Sequence, residues 1–216
     1  LELVLDPVEQ ITALTDFAMA VVAVVGITRF IPRLRIDRFK AGLWIIIYLL
    51  FINAALLGTV YHGVALSTGI LDALWTGIFL SLGIMVGLFF VALIRDWRGV
   101  SAAKIAIPVM MTIAVIFIAA SWMMGQDYRL VLAYEALGLL AALIGYSILG
   151  WKNLRGAWWM TAGVAFTIAA AMVQAGELIS LAPAIPFDHN AAYHIIQIFG
   201  VVFLTRGVID SIDESS

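Results

Sequence analysis

Seven long apolar runs, each about as long as a bilayer core is thick, leave this chain little choice but a bundle of membrane-spanning helices. They lie near 8–28, 41–63, 71–94, 104–124, 129–150, 157–179 and 190–208. A helix of roughly 20 residues crosses a hydrocarbon core of about 30 Å. Strand-like alternation is missing and Ala, Leu, Gly and Met fill the runs, so helices are the natural way to satisfy the backbone where water is excluded. With 64% hydrophobic and 12% charged residues among 216, the composition is far from that of a soluble domain. The connections are short. The expected architecture is therefore all-α, a single seven-transmembrane-helix domain over residues 1–216.

The charges orient this bundle. Arg29, Arg33, Arg35, Arg38 and Lys40 fall around the first connection, Arg95, Arg98 and Lys104 around the third, Lys152 and Arg155 in the fifth, and Arg206 closes the last run. Only Arg129 is basic at the other end, so the positive-inside rule places the N-terminus outside and the C-terminus in the cytoplasm. Asp6, Pro7 and Glu9 read as an N-cap, a first-turn proline and a reciprocal third-position acid, which starts the first helix at Pro7. Pro183 and Pro186 predict an extended lip over the outer face. Trp44, Trp97, Trp122, Trp151, Trp158 and Trp159 read as interfacial anchors, whereas Trp75, a turn inside its helix, is placed to border a pocket. The acidic tail from Asp210 to Ser216 reads as frayed. No basic patch points to nucleic acid.

The three histidines all fall at the end opposite the basic loops, together with Asp16, Asp72, Glu135 and Glu177. Ionisable groups in spans are costly in lipid and tend to face a cavity or one another. Asp16 lies about 13 Å inside the first helix. His62 ends the second helix and Asp72 opens the third, so the two read as neighbours. Asn190, His194 and Gln197 follow i, i+4, i+7 and share one face of the last helix. His189 is about 140° off that face. These groups define a polar cup in the extracytoplasmic leaflet, and the inner halves of the helices read as lacking ionisable groups that could extend it into a channel.

With Cys 0, His and carboxylate are the strong metal ligands available. Zinc accepts such donors, and a catalytic site keeps one position for water. His62, His194 and His189 form the candidate metal set, with Asp72 and Glu177 as candidate acid/base groups. Asp16, Glu135, Asn190 and Gln197 are the other candidate pocket residues.

This arrangement resembles the seven-helix CREST superfamily, which includes alkaline ceramidases and the progestin and adiponectin receptors. The resemblance rests on His62 at the end of helix two, Asp72 on helix three and His194 near the start of helix seven. It implies a zinc ion at the N-terminal side of the bundle. Gly58 stands where the superfamily has a serine, and Asn190 where it has the first histidine of a His-x3-His pair, with His189 one place early. The segments 189–197 and 12–16 also resemble uncharacterised prokaryotic seven-helix proteins. That implies a multi-pass protein of a bacterial or archaeal inner membrane.

Three functions follow as expectations. The first is a zinc-dependent hydrolase of a lipid amide or ester, its substrate a membrane lipid. The second is a non-enzymatic bundle that binds a small-molecule or lipid ligand, or signals through it. The third is a b-type haem protein with His62 and His194 as axial ligands. A retinal protein is set aside because no lysine lies within the last run. The sequence leaves the oligomeric state open.

Overall fold

The computed structural model describes residues 2–125, 128–179, 181 and 184–213, the side chains of 128–132 excepted. The charge of Arg129, the connection expected at 126–127, Pro183 and the last three residues lie outside the described residues. The chain forms seven helices: α1 (Pro7–Phe30), α2 (Arg38–Gly63), α3 (Thr68–Arg98), α4 (Val100–Met123), α5 (Tyr128–Trp151), α6 (Ala157–Ala175) and α7 (His189–Asp213), with a 3-10 turn (Ile31–Arg35) between the first two. All seven are long and apolar enough to cross a membrane.

The local chemistry explains the boundaries. Asp6 caps α1 by accepting from the Val8 N–H, with Pro7 in the first turn. Glu9 is not a reciprocal cap; its carboxylate is drawn instead to His62 on α2. Asp37 caps α2 by accepting from the Lys40 N–H. The sixth helix ends at Ala175, four residues before the apolar run does, because Gly176 breaks it and Glu177 turns left-handed at φ 48°. The seventh helix instead runs on through Asp213. Residues 210–213 are ordered helix, held by Asp213 accepting from Arg33 Nε and Nη2 at 2.9 and 2.7 Å, which corrects the frayed reading of the tail for those residues.

Helices α1, α2, α3, α5, α6 and α7 close into a ring in which α1 bridges α2 and α7, and α5 bridges α3 and α6, while α4 lies outside against α3. Small residues set the spacing, as expected where lipid gives no hydrophobic drive between helices. A Cβ at Gly145 would meet Leu93 at 2.7 Å, and one at Gly163 would meet Leu204 at 2.7 Å. The closest approach is at Gly156, which sits at φ 77° and would drive a Cβ into the Gly207 carbonyl oxygen. Left-handed backbone and a backbone clash coincide there. Gly156→Ala is expected to destabilise by about 1–3 kcal/mol, read as a lower thermal midpoint in detergent, with Gly69→Ala, which meets nothing within 4 Å, as the control.

The apolar core is centred on the basic half of the ring, where Phe30, Trp44, Val91, Tyr146, Val164 and Val208 are fully buried. Trp44 is thus a core residue at 0% exposure and not an interfacial anchor, whereas Trp122, Trp151 and Trp158 are 67%, 74% and 51% exposed. Apolar side chains also face outwards along the bundle, Ile105 at 72% and Val115 at 63% among them, as a hydrocarbon solvent requires.

The basic end is not purely basic. Lys40 Nζ contacts Asp96 Oδ1 at 2.6 Å, with the two side chains 3% and 2% exposed. Arg95 adds a bond to Asp96 at 2.9 Å and another to Asp37, and the Tyr146 hydroxyl donates to Asp96 at 3.4 Å. The expectation of inner halves without ionisable groups is therefore wrong at this point. A buried ion cluster ties α2, α3 and α5 together there.

Candidate functional site

At the opposite end the ring opens into a cavity of about 480 Å³, to which every ring helix contributes. Its lining includes Asp16, His62, Glu135, Glu177, His189, Asn190 and His194, together with Phe51, Tyr61, Trp75 and Tyr193. Seven of the nine residues singled out from the sequence thus meet around one space. Gln197 lies one level deeper, on a second cavity. Asp72 does not arrive: it is exposed near the start of α3, and short sequence distance from His62 does not bring it to the lining.

The floor is a buried pair. Asp16 and His194 are each 5% exposed, and His194 Nε2 lies 3.2 Å from Asp16 Oδ1. On its other side His194 Nδ1 is 2.9 Å from the Thr15 hydroxyl. That hydroxyl commits its hydrogen to the carbonyls of Ile11 and Thr12, at 3.1 and 2.9 Å. With the hydroxyl hydrogen on either carbonyl, Nδ1 is the donor to Thr15 and Nε2 is left to share a proton with the Asp16 carboxyl. Thr15 thus anchors the ring from the side opposite Asp16. Gly58 makes the pair possible, since a Cβ there would lie 2.5 Å from Asp16 Oδ2 and 2.9 Å from its Cγ.

The walls come from four further helices. His62 Nδ1 meets Glu9 Oε2 at 2.6 Å, and its ring abuts Tyr61, which in turn lies 5.6 Å from Trp75. Asp188 caps the start of α7 through the Ala191 N–H at 2.9 Å and accepts from Thr12 and Asn190. Asn190 Oδ1 takes a bond from Gln174 at 3.3 Å, tying α6 to α7. A segment before α1 pairs with the α2–α3 turn through Val4 N–H to Gly63 and Ala65 N–H to Glu2, and so braces the rim.

A family profile described as a family of unknown function, DUF6962, matches residues 11–213. The chain belongs to the DUF6962 family. No curated protein and no solved structure matches it. The matched span of this DUF6962 chain contains every cavity-lining residue named above.

A zinc ion needs at least three converging donors. In this DUF6962 chain His194 has both ring nitrogens engaged and His62 turns Nδ1 to Glu9. Among the described residues no group of three or more His, Asp or Glu is placed to hold a metal ion. The donor set does not form a three-ligand zinc site in this arrangement. A bis-histidine haem fits no better, since it needs an open nitrogen on His194.

Sequence reasoning missed the aromatic wall beyond Trp75 and the partners that fix His62 and His194. Thr15 was legible only as a neighbour of Asp16, and Glu9 only as a cap.

Proposed function

We propose that this chain is an integral membrane ligand-binding protein whose cup opens to the extracytoplasmic side and takes a small organic cation. The observation that carries the reading is the lining of the cavity. Its acidic groups are Asp16, Glu135 and Glu177, its aromatic rings are Phe51, Tyr61, Trp75 and Tyr193, and no lysine or arginine is among the described lining residues. Aromatic faces attract an ammonium group most when it is desolvated, and Glu135 and Glu177 supply the counter-charge that Asp16, engaged with His194, does not. A volume of about 480 Å³ suits a small molecule. The concentration of lysine and arginine in the connections at the other end supports the orientation.

Ligand-induced stabilisation tests this. A ligand at a hundred times its Kd stabilises by about 2.7 kcal/mol, so choline or tetramethylammonium should raise the thermal midpoint in mild detergent, while acetate and glycerol should not. Glu135→Gln should remove most of the shift. Equal shifts with anions, or near-stoichiometric zinc that disappears in His62→Ala, would contradict the reading, and the latter would restore the lipid hydrolase.

A further inference from the structure

Below the cup lies a second, narrow cavity of about 70 Å³, and Phe51 and Glu135 line both. Its walls are otherwise almost wholly apolar, formed by α2, α3, α5, α6 and α7. Two of its lining residues nevertheless present buried polar atoms without a partner. Trp44, 0% exposed, leaves its indole Nε1 unbonded, and Gln197, 4% exposed, leaves Oε1 unbonded while its Nε2 donates to Thr167. An unsatisfied buried donor or acceptor costs about 1–3 kcal/mol. A donor and an acceptor left open on residues of one apolar chamber, which shares Phe51 and Glu135 with a polar cup, describe a subsite for something that carries oxygen.

We infer that the ligand is an amphiphilic cation, its ammonium head in the cup and a slender apolar tail in the inner chamber, the tail bearing a hydroxyl or carbonyl oxygen that accepts from the Trp44 N–H. This rests on the cation reading of the cup and adds the tail. Phe51, on the shared wall, stands seven residues from Trp44 along α2, or about 10 Å. That distance sets the tail length. Gln197 lies about one turn below His194, and its open carbonyl on the same chamber takes the hydrogen of a tail that ends in a hydroxyl.

The experiment is a ladder of ω-hydroxyalkyl-trimethylammonium ions, with tails of roughly four to ten carbons, measured against their plain alkyl counterparts on the full chain in nanodiscs. The hydroxyl lowers partition into lipid, so a gain from it reports a specific partner. Affinity should peak at one length, with the hydroxyl worth about tenfold there. Trp44→Phe, which keeps the ring and removes the N–H, should erase that preference and leave choline binding as in the wild type. Gln197→Met should reduce it. A ladder without a peak, with choline still bound, overturns the tail and leaves the chamber to water. Failure of choline and every ladder member to bind overturns the cup reading and this inference with it.

Discussion

Asp96→Asn is expected to destabilise the bundle by about 3–5 kcal/mol, the cost of breaking a buried ion pair from one side. Lys40 would be left 2% exposed at the level where α2, α3 and α5 meet, with a neutral amide in place of the carboxylate at its 2.6 Å contact. Arg95 and the Tyr146 hydroxyl bond the two oxygens of the same carboxylate, of which the amide keeps only one as an acceptor. The measurement is the thermal or denaturant midpoint in detergent. Asp72→Asn, at an exposed carboxylate, should shift it little. Lys40→Met combined with Asp96→Leu should recover much of the loss, because removing both charges spares the desolvation of either. If Asp96→Asn and Asp72→Asn behave alike, the cluster is not the clamp that its geometry describes.

The second large effect belongs to Gly58. An alanine Cβ would stand 2.5 Å from Asp16 Oδ2, and the carboxylate cannot yield without leaving His194. Gly58→Ala is expected to cost about 1–3 kcal/mol by overpacking and to abolish cation binding by displacing the floor of the cup. Pairing it with Asp16→Ala should restore stability, since neighbours that clash are non-additive, without restoring binding. Unchanged binding in Gly58→Ala would show that the Asp16 and His194 pair is dispensable to the cup.

That glycine also shows what was legible in the residues. Against the CREST pattern it reads as a missing serine; in the structure it is the space that Asp16 occupies. The seven helices were legible because run length and short charged connections dictate them. The rotation of each helix was not, because lipid is as apolar as a protein core and an all-apolar helix shows no stripe to mark its inner face. Asp16, Glu135 and His194 could still be placed inwards, since a charged group in a span has few other options. Asp72 and Trp44 could not. Asp72 sits near a helix start where an exposed carboxylate costs little, and Trp44 near a span end resembles an anchor until Tyr48 and Phe89 are seen packed edge-on against it. Lys40 and Asp96 were hidden for a related reason: each is flanked by arginines that read as a solvated basic loop, while the contact joining them spans 56 residues.

Calorimetric titration of the purified protein in nanodiscs with choline and with its neutral isostere 3,3-dimethylbutan-1-ol tests the central claim most directly, because the two differ in charge alone. The account predicts saturable binding of choline at least about tenfold tighter than of the isostere, with the difference lost in Glu135→Gln. Equal affinities for the two, or binding of neither, would contradict it.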